Sequence, residues 1–367
     1  MNRFFFIFIS IVLTLNLLAQ EKEIILFENI KDSLLQIITY ENDAVNFITN
    51  GQLRNKLSVK DKKYYLVTDT LSKCYAIIRI SFEDKNKFSY YELFIFDENF
   101  DLVLDKVFQF HYEEPIPQVL LFSPNKVFLF SPQLFSLKMI TVNGETEIPL
   151  EKQRLFLERL GGLLRWNDYL IVWTSQLENQ EEKFSKVFIL TEKGELVNQI
   201  KLPFHFLYRF FTINNNLYFS AYNYDKEFQF GFYQLRMNDF FNFSINALYN
   251  EELQPELIEN KVKNINDEVF SSSSIYKISN DHLVRLFSIS EDEIIKDALK
   301  IGDRYYIISL NKNELFFNEI DIITARTIKT RISSEVYPAS LFYSALNREI
   351  FLNQNDRFIK LKKFLGE

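Results

Sequence analysis

Apolar positions in this chain come in short runs of Phe, Tyr, Ile, Leu and Val, separated by tight polar turns. One unit reads cleanly from 160 to 202. Residues 161–165 enter the turn Trp166-Asn167-Asp168, 169–174 form a strand, and a polar stretch at 178–183 leads to 184–191. The turn Glu192-Lys193-Gly194-Glu195 then returns the chain through 196–202. This pattern predicts four antiparallel strands in sequence order. The second strand is apolar along its whole length instead of alternating, so both of its faces must be covered.

The same pattern recurs upstream at 64–110 and 119–150 and downstream at 207–248 and 294–332. The outer turns at Asp97, Asn143, Lys193 and Asn238 are 46, 50 and 45 residues apart. That is the length of one four-stranded blade, and it predicts an all-β chain, a single β-propeller of four-stranded antiparallel blades. The count is seven blades, with six and eight as the alternatives. Residues 341–345, 349–352 and 357–361 supply only three strands, and a strand at 24–27 is expected to complete that sheet and close the ring. Within the propeller domain, 20–367, two parts break the pattern. Residues 28–60 read as irregular, with a short amphipathic helix at 30–38 and a strand at 44–48, and 249–274 read as a charged insertion before a degenerate blade. Consecutive β-sandwiches would need linkers rich in Pro, Gly or Ser, for which Ser271 to Ser274 is the one candidate.

Only 8 glycines serve these turns. Asn and Asp, which tolerate positive φ, are expected to replace them at Asn214-Asn215-Asn216, Asn280-Asp281, Asn311, Asn347 and Asn355-Asp356. The outer-turn form of Thr191-Glu192-Lys193-Gly194-Glu195-Leu196 resembles the closing hairpins of exported bacterial β-propeller repeat proteins with six to eight blades. The resemblance covers about 64–363 and implies a fold, with no specific family or substrate.

Arg3 followed by the apolar stretch 4–15 and Leu17-Leu18-Ala19 reads as a signal peptide spanning 1–19, cleaved before Gln20. The apolar stretch is shorter than the roughly 20 residues that cross a bilayer, so no permanent membrane span is expected and the mature chain is placed in the periplasm or outside the cell. Cleavage removes one base and no acid. That leaves 41 basic against 49 acidic residues and moves the formal charge from −7 to −8. Such a surface repels phosphate backbones, which argues against nucleic acid as a partner. Cys74, the single cysteine, sits in an apolar run and reads as inert core, so stability must come from packing and not from disulfides.

Enzyme signatures are absent from the sequence: there is no His-Glu-x-x-His, phosphate loop, dinucleotide turn or nucleophile elbow, and no cofactor or metal is called for. The polar site candidate is the inter-blade stretch His111-Tyr112-Glu113-Glu114-Pro115-Ile116-Pro117. His111, Glu113 and Glu114 there, with His205 in the later connection Pro203-Phe204-His205, are the expected ligand-binding residues near the ring axis. His282 lies in a turn and carries less. The aromatic run from Tyr208 to Phe243 reads mainly as blade packing, with exposed members available for stacking. The expected function is therefore a non-catalytic exported scaffold that binds an envelope or extracellular protein or a polymer. The alternative is a hydrolase or lyase acting on carbohydrate or peptide, with carboxylates from different blades meeting at the channel.

Overall fold

Left-handed turn residues mark many of the breaks between strands. Asn42 and Asn50 in the first sheet, Asn167, Asn214 and Asn215 in the middle, and Asn264 and Asn313 later all have positive φ, as do Gly51, Gly144, Gly194 and Gly302. Asn214 and Asn215 are thus two of the expected turn residues. At the turn after Asn311 the left-handed pair is Lys312-Asn313 instead. Asn280-Asp281, Asn347 and Asn355-Asp356 lie outside the described residues.

The computed structural model describes residues 24–31, 34–60, 62–69, 73–83, 88–111, 118–131, 136–150, 158–176, 184–223, 229–239, 242–248, 258–265, 267–279, 282–333, 339–344, 348–354 and 357–363. They form eight antiparallel sheets. The first holds β1 (Ile24–Lys31), β2 (Leu34–Glu41), β3 (Ala44–Thr49) and β4 (Gln52–Ser58), and the second β5 (Lys63–Asp69), β6 (Cys74–Glu83), β7 (Phe88–Phe96) and β8 (Leu102–His111). The third holds β9 (Gln118–Ser123), β10 (Lys126–Ser131), β11 (Ser136–Thr141) and β12 (Gly144–Ile148), and the fourth β13 (Glu158–Trp166), β14 (Tyr169–Gln176), β15 (Ser185–Thr191) and β16 (Leu196–Leu202). In the fifth are β17 (Phe206–Ile213), β18 (Asn216–Asn223), β19 (Gln229–Met237) and β20 (Phe243–Ala247), and in the sixth β21 (Asn260–Lys261), β22 (Glu268–Phe270), β23 (Ser274–Ser279) and β24 (His282–Ser288). The seventh has β25 (Ile294–Ile301), β26 (Arg304–Asn311), β27 (Glu314–Asp321) and β28 (Thr327–Ser333), and the eighth β29 (Ala339–Ser344), β30 (Glu349–Gln354) and β31 (Arg357–Lys363).

First strands of neighbouring sheets meet in β5 and β9, β9 and β13, β13 and β17, and β25 and β29, and β1 meets β29 to complete the circuit. The chain is a β-propeller of eight blades, one more than the sequence pattern predicts. The extra blade comes from the N-terminal region. Residues expected as an irregular segment with a helix at 30–38 are the paired strands β1 and β2, and β1 belongs to its own blade instead of completing the last one. Leu34 to Tyr40 carries apolar residues on both faces, a pattern that a short helix and a doubly covered strand share. The expected insertion at 249–274 contributes β21 and β22, which turn the degenerate sixth unit into a complete blade. Ring closure rests on packing of β1 against β29 and on Ser344 Oγ donating to Glu28 Oε2 at 3.0 Å.

Apolar side chains fill the spaces between blades. Phe122, Phe128 and Phe130 of the third blade pack on Leu170, Val172 and Phe188 of the fourth. Trp173 and Ile189 of the fourth pack on Phe210 and Phe219 of the fifth. Cys74 is buried in the core between the second and third blades. From the sixth blade onward buried charges share this task. Glu268, 2% exposed, accepts hydrogen bonds from Lys300 Nζ and Tyr305 OH of the next blade, both at 2.6 Å. Burial, and then the adjoining carboxylate, push the Tyr305 hydroxyl far above its ordinary pKa. Asp297 Oδ2 accepts from Lys263 Nζ at 2.5 Å and from the Leu341 N–H at 2.6 Å, which ties three blades together.

A buried carboxylate stripped of its cation should be costly, whereas an apolar replacement of both partners should not be. Lys300→Met is expected to destabilise the fold by about 3 kcal/mol in urea denaturation, and adding Glu268→Leu should recover most of that loss. A single-variant cost below about 1 kcal/mol, the range of exposed ion pairs, would show that the pair carries no structural role.

Candidate functional site

The inner strands all start on one face of the ring. The parallel bridge between Lys263 and Leu299 shows this shared direction directly for the sixth and seventh blades. The same face receives the links from each second strand to the third and from each blade to the next. Of the connections longer than five residues, those at 112–117, 149–157, 177–184 and 248–259 join strand ends on this face, and only 262–267, between β21 and β22, lies on the other. The opposite face carries the tighter hairpins.

Near the start of the inner strands the antiparallel register breaks in four blades: between Ile25 and Phe27, Leu160 and Gly162, Leu207 and Arg209, and Ile295 and Asp297. A bulge takes its extra residue out of the inward-outward alternation. In the fifth and seventh blades those residues are Tyr208 and Lys296, and both are exposed. Arg209, also exposed, reaches the sixth blade, where its guanidinium donates to the Glu259 carbonyl at 3.0 Å and to the Asn260 side-chain oxygen. Three consecutive blades thus bring Tyr208, Arg209, Glu259 and Lys296 together at the mouth of the ring.

Burial raises the Glu259 carboxyl above the usual carboxylate range, and the cations Lys296 and Arg209 draw it only partly back. Burial likewise raises the Tyr208 hydroxyl, with further help from the charge of Glu259. Lys261, two residues along the strand, donates to the Thr212 carbonyl at 3.1 Å, and burial lowers its ammonium pKa. The cluster presents a partly desolvated carboxyl flanked by exposed cations, a set that can donate and accept hydrogen bonds.

An aromatic row runs outward from this cluster. Phe206 lies opposite Tyr222 across β17 and β18, stacked at 4.7 Å, and Tyr222 lies opposite Phe230 across β18 and β19 at 5.4 Å. Tyr208 lies 6.5 Å from Phe206. These rings are only partly buried or exposed, unlike Phe210 and Phe219 deeper in the same blade.

His205 is buried in the connection between the fourth and fifth blades, where its carbonyl accepts from Ser185 Oγ at 2.9 Å. His111 ends β8, two blades earlier on the same face, while Glu113 and Glu114 lie outside the described residues. Arg209, Glu259 and Lys296 were not among the residues singled out from sequence. Glu259 sits in the span expected as an insertion, and its flanking Ile258 and Val262, both buried, were the signal that this span is strand. His282 is exposed on β24. Among the described residues no group of three or more His, Cys, Asp or Glu side chains is placed to hold a metal ion.

No family model matches the chain, and no curated protein does. Solved structures resemble it in fold. The C-terminal WD40 domain of Sif2 is 12% identical with a TM-score of 0.50, and the match covers 95% of this chain and 98% of that one. WD40 domains are propellers, so this likeness supports the fold and nothing beyond it. The acylaminoacyl peptidase of Pyrococcus horikoshii is 10% identical with a TM-score of 0.48, over 83% of this chain and 53% of that chain. The chain therefore spans about half the length of that peptidase. The β-propeller domain of the Trilobed protease from Pyrococcus furiosus is 10% identical with a TM-score of 0.47, over 83% and 99% of the two chains.

The raised Glu259 carboxyl gives a pH signature. Stability linked to such a group is complete below the unfolded pKa and is lost as pH rises through the folded value. Glu259→Gln, which removes the charge, should therefore melt higher than wild type at about pH 8 and lose that advantage at about pH 4 and below. Equal melting of the two chains at both pH values would show that Glu259 is not desolvated.

Proposed function

We propose that the protein is a non-catalytic binding scaffold that holds an envelope or extracellular protein, or a polymer, across the face where the inner strands begin. One observation carries this reading: the partly exposed row Phe206, Tyr222 and Phe230 leads directly to the cluster of Tyr208, Arg209, Glu259 and Lys296. Aromatic planes supply contact area at low entropic cost, and the polar cluster fixes orientation. The connections on this face, including those that carry Glu113, Glu114 and His205, add contacts around it. The chain acts in the periplasm or outside the cell after losing residues 1–19, which lie outside the described residues. Among the described residues no helix is long and apolar enough to cross a membrane.

Affinity capture from envelope and medium fractions, with wild type beside Tyr208→Ala/Tyr222→Ala, tests the reading. The species recovered by wild type should fall by about tenfold with the variant, since loss of paired aromatic anchors costs at least about 1.4 kcal/mol. Turnover of a glycan or peptide panel by the purified chain, abolished in Glu259→Gln, would overturn it in favour of a hydrolase or lyase. Export has its own readout: the intact mass of the chain recovered outside the cytoplasm should correspond to an N-terminus at Gln20. A mass that retains residues 1–19 would place the protein elsewhere.

A further inference from the structure

Four inner strands bulge, and what each bulge frees differs. In the first and fourth blades the displaced residues are Leu26 and Gly161, which bring no charge. In the fifth and seventh blades they are Tyr208 and Lys296. These two blades flank the sixth, which supplies Glu259 just ahead of β21. Among the described residues the Lys296 ammonium makes no hydrogen bond or ion pair, and the Glu259 carboxyl makes none either; the two groups act on each other only through their charges. Arg209 donates from one nitrogen of its guanidinium, and only to neutral oxygens. The acids nearby are already taken: Asp297 holds Lys263, Glu268 holds Lys300 and Glu293 holds Lys329. One mouth thus combines a tyrosine that is 39% exposed, two exposed cations with no carboxylate in contact, and a half-buried carboxyl with no donor.

We infer that this mouth binds an acidic sugar, a pyranose that carries its carboxylate directly on the ring, presented by a polysaccharide. The inference rests on the scaffold reading above and names the class of polymer held. Each open group has its match in such a ligand. Arg209 and Lys296 take the carboxylate, the guanidinium offering paired donors in the fork geometry that a carboxylate fits. Glu259 takes ring hydroxyls, which supply the hydrogen bonds that a partly desolvated carboxyl otherwise lacks. Tyr208, adjacent to Arg209 in the chain, offers aromatic surface to the apolar side of the same ring.

Other occupants leave one of these groups unmatched. A neutral sugar gives Arg209 and Lys296 no anion. An acidic peptide carries its carboxylates on flexible side chains and brings no hydroxyl to Glu259. A nucleic acid needs a row of cations, and two open ones suit a single carboxylate better than a run of phosphates.

Isothermal titration calorimetry on the purified chain tests this with three probes: a trisaccharide with one glucuronate between two neutral hexoses, the same trisaccharide with that carboxylate reduced to the alcohol, and triglutamate. The glucuronate trisaccharide should bind saturably and at least about tenfold more tightly than either of the others. Lys296→Met should weaken it by about fivefold or more while Lys296→Arg keeps it, with an unchanged melting temperature as the folding control. Absence of saturable binding up to about 5 mM, equal binding of the reduced sugar or of triglutamate, or wild-type affinity in Lys296→Met would each overturn the inference. The scaffold reading survives any of these if capture still depends on Tyr208 and Tyr222. Cleavage of the glucuronate trisaccharide by the wild-type chain would instead support the ligand class and overturn the non-catalytic reading.

Discussion

Every blade of this protein depends on being covered on both sides. Described buried apolar residues gather into seven clusters, and each cluster draws on two consecutive blades. A four-stranded sheet with two apolar faces has no stable existence alone, because each face would expose area costing about 25 cal/mol per Å². Ring formation solves this for all blades at once. The abundance of Phe follows from the same constraint: paired rings such as Phe47 and Phe96, 4.0 Å apart, fill the space between neighbouring sheets with few side chains.

Where the apolar filling thins, buried ion pairs take its place. The interfaces among the sixth, seventh and eighth blades carry Glu268–Lys300, Asp297–Lys263 and Glu319–Lys362. Such pairs add little net stability over an apolar equivalent, yet they penalise misplacement severely, because a shifted blade strands a charge in low dielectric. The sixth blade has inner strands of two and three residues, too short to define register through side-chain alternation alone. Charged contacts on both sides of Lys263 and Lys300 supply the missing specification. Closure between the eighth and first blades rests on β1 against β29 and the Ser344–Glu28 hydrogen bond.

The repeating blades were legible because their strands are bounded by turn residues and their central strands are uninterrupted apolar runs. β13 to β16 and β25 to β28 lie within a few residues of the positions read from the sequence. The first blade was missed because Leu34 to Tyr40 has no strict alternation and because an N-terminal strand was assigned to the last sheet. The sixth was half-missed because Asn260–Lys261 and Glu268–Phe270 are shorter than any periodicity can register. At the candidate site, sequence gave weight to histidines, the residues whose pKa most often signals function. The structure draws together Arg209, Glu259 and Lys296 instead, from strands that are far apart in the chain. Proximity across three blades has no local sequence signature, and only Tyr208, Tyr222 and Phe230 belonged to a stretch already singled out.

The two faces of the ring obey different constraints. On the hairpin face, several strand pairs close through two-residue turns such as Asn167-Asp168, Asn214-Asn215 and Gly302-Asp303, and the links there run from two to six residues. On the opposite face the chain must cross from the outer edge of one blade to the axis of the next, a distance that permits connections of many lengths. Inner-strand bulges occur on that face as well, and they place Tyr208 and Lys296 outside the packing that claims their neighbours Leu207 and Ile295. Side chains that packing does not need, held by strands that packing makes rigid, are the arrangement on which recognition sites are built. The aromatic row of the fifth blade follows the same logic: its inner rings lock the blade to its neighbours, while Phe206, Tyr222 and Phe230 lie beyond the reach of the core, at the end of the sheet where the polar cluster begins.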